Sequence, residues 1–325
     1  MSPLQHHLLT ADRGDAGRRI DVVIRRHFTG VDAVSRTRVQ AWIAEGRVAL
    51  NGATVRRPSE RAAYGDRLEV ARPAGPARAP MMAERTGFDL LQILYEDNDL
   101  LVLDKPVGVV VHPTYRHPGG TIMNGLLWYA REWPAGSRPA LVGRLDKDTS
   151  GLLLVAKSRV ALAALQRLTS CGAAQKDYLA VAYGAATPAR GTIDVPLAPD
   201  PRDRRRMTPS AAGAASLTTF ERLARVEAPR VGLSLLRCRL GSGRRHQIRA
   251  HLAARGWPIV GDRVYGDARW QAIDDPALAA VLRDFPRQAL HAWRLSFRQP
   301  FTGRPIDLEA KIPIDIAPLV EIFGF

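Results

Sequence analysis

Residues 71–88, ARPAGPARAPMMAERTGF, divide this chain. They carry three prolines and two glycines and show no apolar periodicity. Proline fixes φ and has no amide proton, so such a stretch neither continues a helix nor pairs inside a sheet. It reads as a linker. The 325 residues are enough for about two domains. The expected division is a flexible tail at 1–16, a small domain at 17–70, the linker at 71–88 and a larger domain at 89–325.

In the small domain, Arg18 to Phe28 places apolar residues at 20, 23, 24 and 28, which is helical spacing. A second helix follows, with Ser35 as its cap, Val39, Trp42 and Ile43 as its apolar stripe and Gly46 as its stop. Asn51-Gly52 between alternating apolar residues predicts a hairpin over 48–55. Gly65-Asp66 then turns into a short strand, 67–70. In the larger domain, strands are expected at 100–104, 151–156, 178–183, 232–240 and 295–297, and helices at 123–129, 160–168 and 245–255. The mixture is α+β, or mixed α/β. No repeat of 20–50 residues is present, and no GxGxxG follows a strand to suggest a dinucleotide fold.

An apolar share of 46% argues for a globular core rather than a disordered or fibrous chain. The charge is unusual: Lys plus Arg is 47 and Asp plus Glu is 32, a net of +15, and only five of the 47 are lysines. A GC-rich genome would explain arginine in place of lysine but not the excess charge. A guanidinium grips phosphate in two places, so the expected partner is a polyanion. Cys171 and Cys238 have neither metal spacing nor a disulfide framework, which suits a reducing cytosol. No apolar run reaches bilayer length and no signal peptide is apparent, so no membrane partner is expected. Nothing demands more than a monomer.

Residues 1–75 hold 13 arginines and eight acids, a net of +5. Arg36 and Arg38 fall in the first turn of the second helix, where the dipole disfavours cations; beside a helix N-terminus they would strengthen an anion site. A solvated basic face is the alternative account. The order Arg19-Ile20-Asp21, Ser35-Arg36-Thr37-Arg38, Ile43 to Gly52 and Gly65-Asp66-Arg67-Leu68 resembles the S-four RNA-binding domain.

The chemistry is sought in the larger domain. Val142 to Ser150 is a polar, charged turn that runs into the apolar strand Gly151 to Ala156, which places a carboxylate at a strand mouth. By itself, a turn rich in Asp and Ser is more simply a structural turn. Six arginines and no acid lie between residues 237 and 255. With a helix from about Arg245, His246 and Arg249 would share a face able to hold a phosphate or pair with a carboxylate. Lys176-Asp177-Tyr178 begins a strand that presents a tyrosine.

Six ordered motifs across residues 90–300 resemble the RluA family of RNA pseudouridine synthases. They are Asp104-Lys105-Pro106-Val107-Gly108 with Val111-His112-Pro113; Arg144-Leu145-Asp146 with Thr149-Ser150-Gly151; Lys176-Asp177-Tyr178; Gly243-Arg244 with His246-Gln247-Ile248-Arg249 and His251-Leu252; Gly261-Asp262 with Tyr265-Gly266; and Arg287 to Ala292. The preceding S-four-like segment matches the subgroup that modifies large-subunit ribosomal RNA. Gly143 stands where the family usually has histidine, and Arg245 where it often has threonine.

The resemblance implies a mixed, largely antiparallel sheet with flanking helices and a cleft across its middle. It implies RNA rather than DNA as the partner, ribosomal RNA or a pre-ribosomal particle, and isomerisation of uridine to pseudouridine without cofactor or metal. It assigns the catalytic carboxylate to Asp146, its cationic partner to Arg249 and the ring that stacks on uracil to Tyr178. Covalent attack on the ribose and removal of a ribose proton both remain open for Asp146. Arg144 would fill the gap left by the flipped base. Arg36, Arg38, Arg244, Arg245 and His246 are the further RNA contacts expected. Lys105-Pro106, His112-Pro113, Gln288 and His291 are expected to support rather than react. Arg202, Arg204, Arg205 and Arg206 either grip RNA or are solvated.

Three other readings compete. Asp146 and Asp148 are i, i+2 and on one strand face could serve a glycoside hydrolase, though a basic setting does not suit a neutral polysaccharide. His246 and His251, five apart, miss metal-ligand spacing on a helix. A binding-only ribosome-assembly factor needs the S-four-like part alone. Transfer RNA is the alternative substrate for the enzyme.

Overall fold

The computed structural model describes residues 4–28, 34–73, 81–89, 91–114, 117–227 and 231–324. The chain forms two compact units, residues 1–80 and 81–325.

The first unit contains β1 (Leu4–Thr10), α1 (Ile20–His27), α2 (Arg36–Ala44), β2 (Val48–Leu50), β3 (Ala53–Thr54) and β4 (Arg67–Pro73). Its antiparallel sheet runs β1-β4-β2-β3. Ile20, Val23, Ile24 and Phe28 of the first helical segment meet Val39, Trp42 and Ile43 in one core with Val48, Leu68 and Val70. Ser35 caps α2, its Oγ accepting from the Arg38 amide at 3.3 Å. Asn51 and Gly52 both have positive φ, 50° and 84°, which makes the tight turn between β2 and β3.

The tail expected at 1–16 is corrected here. Residues 4–10 are β1, paired along its length with β4 from Leu4↔Pro73 to Thr10↔Arg67. That pairing also carries β4 through Pro73, into the expected linker. Pro73 ends the strand, where its missing amide costs little. Residues 74–80 of that linker lie outside the described residues. Residues 82–88 belong to the larger unit: Asn124 Nδ2 donates to the Met82 carbonyl at 2.8 Å, and Phe88 stacks on Tyr129 at 5.8 Å.

The second unit opens with α3 (Arg85–Phe88), β5 (Gln92–Glu96), β6 (Leu100–Lys105), α4 (Ile122–Tyr129), β7 (Ala140–Leu141), β8 (Ser150–Ala156), α5 (Arg159–Ser170) and β9 (Gln175–Tyr183). It continues with β10 (Arg190–Asp194), β11 (Leu197–Pro199), β12 (Met207–Pro209), β13 (Leu217–Val226), β14 (Leu233–Leu240), α6 (Gln247–Ala254), α7 (Pro276–Asp284), β15 (Leu290–Arg298), β16 (Pro305–Glu309) and α8 (Ala317–Glu321). The large sheet runs β10-β13-β14-β9-β15-β8-β6-β5, with β16 also on β15 and β7 also on β8. Among its described pairings only β15 with β8 is parallel.

The apolar β8 run has a packing reason. Leu152 and Leu154 enter one core while Leu153 and Val155 enter another on the opposite face. A strand buried on both sides has no polar face to show. β6 alternates in the same way, Leu100 and Val102 against Leu101 and Leu103. Gly151 makes the join between β8 and β15. Its φ is +105°, and a Cβ there would stand 2.3 Å from the Ala292 carbonyl oxygen.

No helix among the described residues is long and apolar enough to cross a membrane. Cys171 is exposed and Cys238 buried, and both are free.

Candidate active site

Residues Arg144 to Thr149 form an irregular loop with a turn that leads into β8. Asp146 and Asp148 are therefore not on one strand face, and the paired-carboxylate expectation fails on geometry. The loop is held at successive carbonyls. Lys105, fully buried, donates from Nζ to Pro106 O, Val109 O and Lys147 O at 2.6, 3.1 and 2.9 Å. Three carbonyls thus take the three protons of one ammonium. Burial pushes that ammonium down to about 8. Arg287 Nη1 donates to Asp148 O at 3.1 Å, while its Nε and Nη2 hold Asp315 at 2.6 and 2.9 Å. Gln288 Nε2 donates to Thr149 Oγ1 at 3.1 Å, and His291 Nδ1 lies 3.0 Å from Ser150 Oγ. These contacts are all directed at the loop's framework.

Asp146 points at α6. Arg249 Nη1 donates to Asp146 Oδ2 at 2.9 Å. The other side of the same guanidinium grips Asp262, Nε to Oδ2 at 2.7 Å and Nη2 to Oδ1 at 2.8 Å. Asp262 Oδ1 also accepts from the Val264 and Tyr265 amides. Side-chain exposure falls from 16% at Asp146 to 6% at Arg249 and 0% at Asp262. Burial disfavours the charge on Arg249, but Asp262 and then Asp146 outweigh it and hold the guanidinium well above its usual range. Burial would likewise raise Asp262, but Arg249 and the two amides keep its carboxyl below the usual value. The fork is locked to Asp262, and one remaining N–H is aimed at Asp146. Asp146 Oδ1 has no protein donor among the described residues.

Tyr178, on β9, lines the same pocket with Arg144, Leu145, Thr149, Leu240 and Leu290. Burial raises its phenol, and the Asp146 charge adds to the shift, so the ring is neutral. Arg144 is exposed at the pocket, with no ion pair among the described residues.

The helix expected over 245–255 begins at Gln247. His246 has a φ of +52°, the left-handed region, and precedes the helix. His246 and Arg249 therefore do not share a helical face, yet the turn still brings both to Asp146. His246 Nε2 lies 3.8 Å from Asp146 Oδ2, and its Nδ1 lies 3.3 Å from the Tyr265 hydroxyl. Burial holds the His246 ring below its ordinary value. His251 is bonded at both nitrogens, to Thr218 Oγ1 and Val195 O, each at 2.9 Å. That occupies it as a core residue.

The other expected RNA contacts fall in different places. Arg244 lines the pocket, its Nε donating to Ala215 O at 3.3 Å. Arg245 Nη2 donates to Arg204 O at 2.6 Å. In the first unit, Arg36 is committed to a buried carboxylate: its Nε meets Asp21 Oδ2 at 2.8 Å, beside Arg19 and Gln40. Burial would raise Asp21, but Arg19 and Arg36 keep it far below the usual range. Arg38 is exposed. Of the arginine loop, Arg205 pairs with Asp203 and Arg206 donates to Val264 O, while Arg202 and Arg204 are exposed.

Asp262, Lys105 and Arg287 were visible in the sequence only as parts of motifs. A buried carboxylate behind Arg249 leaves no spacing signal, because Arg249 and Asp262 meet across a turn.

A loop carboxylate with one oxygen bound and one free, beside a buried phenol ring, can act on a bound molecule as nucleophile or base. The RNA pseudouridylate synthase family pattern matches residues 99–254. The chain belongs to the RNA pseudouridine synthases, and among them to the RluA family, and is such an enzyme. It is 38% identical over 290 residues to an uncharacterized RNA pseudouridine synthase, YlyB, of Bacillus subtilis (strain 168), covering 88% of this chain and 89% of the relative. It is 39% identical over 312 residues to ribosomal large subunit pseudouridine synthase D of Xanthomonas campestris pv. campestris, covering 94% of this chain and 88% of the relative. The fold is shared with human RNA pseudouridylate synthase domain containing 4, at a TM-score of 0.55 and 22% identity over 71% of this chain and 92% of that one. The mixed, largely antiparallel sheet with flanking helices is the architecture expected from the motifs.

Proposed function

We propose that this enzyme isomerises uridine in large-subunit ribosomal RNA, with Asp146 as its catalytic carboxylate. The carrying observation is the Asp262–Arg249–Asp146 relay of charges, which orients one Asp146 oxygen and leaves the other free. In the reaction the bond from uracil nitrogen 1 to the ribose breaks and one from carbon 5 forms. Carbon 5 loses a proton and nitrogen 1 gains one, so atoms balance without a redox partner or co-substrate. Asp146 acts against the ribose. Arg249 fixes the carboxylate and offsets its charge. Tyr178 stacks on the uracil, and Arg144, flat and unpaired, fills the space the uridine leaves.

Support for the ribosomal target comes from relatives named as large-subunit pseudouridine synthase D at 35–39% identity over at least 94% of this chain. Residues 17–70 act as an S-four-like RNA-binding domain, now with β1 added to its sheet. Arg38, exposed at the start of α2, is a phosphate contact there, whereas Arg36 chiefly secures Asp21. Arg244, Arg245 and His246 contact RNA around the pocket. The enzyme works as a cytoplasmic monomer, as its free cysteines suit a reducing compartment.

The test is release of label from uridine carbon 5 in transcribed ribosomal and transfer RNAs, with wild type and Asp146→Asn compared. The expected result is release from a large-subunit fragment, lost in the variant, with RNA binding retained. Release from transfer RNA alone would overturn the ribosomal target. Loss of binding in Asp146→Asn would overturn the catalytic assignment.

A further inference from the structure

A cavity of about 450 Å³ opens beside the Asp146–Tyr178 pocket and shares Arg144, Asp146 and Tyr178 with it. Its far wall is the last turn of α5, where Gln166, Thr169 and Ser170 face it, and its rim is the loop Gly241 to Arg245. Two cations line it with unused donors. Arg245 Nε is buried without a hydrogen-bond partner among the described residues. Lys176, partly buried at the start of β9, has no carboxylate partner among the described residues; its Nζ lies over the Tyr178 ring, 5.4 Å from the centroid. Buried donors are normally satisfied, and a sheltered ammonium is normally paired. Arg245 Nε and the Lys176 ammonium thus lack partners at one cavity, although Arg245 Nη2 is bound to Arg204 O, and with Arg144 and Arg244 these cations outnumber its single carboxylate, Asp146. The missing group is therefore an anion. The neutral polar side chains opposite suit the edge of a base.

We propose that this cavity is a second nucleotide subsite. Lys176 and Arg245 take the phosphodiester that joins the target uridine to its neighbour, and Gln166, Thr169 and Ser170 meet the base of that neighbour. The ligand class is an RNA nucleotide adjoining the uridine, so the subsite makes the enzyme selective for sequence next to its target. The inference rests on the uridine lying at Asp146.

The test uses the full chain and transcribed large-subunit RNA fragments, by label release and by filter binding across a salt series. Lys176→Met and Arg245→Met are each expected to raise KM about tenfold while kcat changes less than about twofold, and to lower the salt slope of binding by about one. An abasic residue on one side of the converted uridine is expected to raise the wild-type KM. The pair Gln166→Ala and Thr169→Ala is expected to have lost that abasic penalty already. Wild-type KM and salt slope in both cation variants would overturn the proposal. So would a fall in kcat at unchanged KM, which would place Lys176 on the reacting atoms. If wild type released no label from any RNA, the reading of the uridine site would fail, and the salt slopes would still decide whether these two cations bind phosphate.

Discussion

Asp146 illustrates what a single residue owes to its neighbours. The catalytic role proposed for its carboxylate needs a fixed orientation, and Arg249 supplies one because Asp262 already holds the other side of the guanidinium. Gly151 is equally particular. Its positive φ and the 2.3 Å approach to Ala292 O leave no room for a side chain. Gly151→Ala is expected to cost roughly 2–4 kcal/mol, from left-handed strain and overpacking, and to lower Tm in a thermal melt. An unchanged Tm would mean that β8 and β15 can part at that point. Both residues stood in recognisable motifs. Their contacts were not legible, because Ala292 lies 141 positions downstream of Gly151 and only strand pairing brings them together.

Elements place the loop that carries Asp146. Arg287, just before β15, reaches Asp148 O and Asp315 with one planar fork. A lysine cannot make both contacts at once. Arg287→Lys is expected to lower kcat about tenfold with KM within about twofold, because a looser loop misplaces the carboxylate without removing an RNA contact. Equal loss in KM would point to the RNA surface instead. In the first unit, α1 is tied down by Asp15, which is buried and meets Arg26 at 2.6 Å and His27 at 2.7 Å. Burial would raise Asp15, but His27 and Arg26 outweigh it and hold it down to about 2. A carboxyl lowered in the folded state stabilises above its ordinary value, and that stability is lost as pH falls through the folded value. Protection of α1 amides from hydrogen exchange is expected to fall between about pH 4 and about pH 2. Asp15→Asn should flatten that fall; a wild-type profile in the variant would refute the account. The periodicity of α1, the cap of α2 and the Asn51-Gly52 turn were legible because each is a local event. β1 was not, since Leu4 to Thr10 becomes a strand only when β4 is beside it.

At the scale of the whole molecule the net charge of +15 governs approach to RNA. Each phosphate neutralised releases counterions, so the logarithm of affinity should fall steeply and linearly with the logarithm of salt. A flat salt series in filter binding would contradict a backbone-led interaction. The amino-acid sequence by itself determined the reaction, because motifs such as Arg144-Leu145-Asp146 keep their order whatever surrounds them. It also determined the apolar strands, since Leu152 to Val155 have no polar face to show on either side of the sheet. Tertiary structure alone decided which cations are spent on carboxylates and which keep a donor unused. Arg36 is consumed by Asp21 and Arg287 by Asp315, while Lys176 and Arg245 line a cavity with donors to spare. The physical reason is range: apolar pattern and turn chemistry act over a few residues, whereas an ion pair exists only between groups that the fold has brought within about 4 Å.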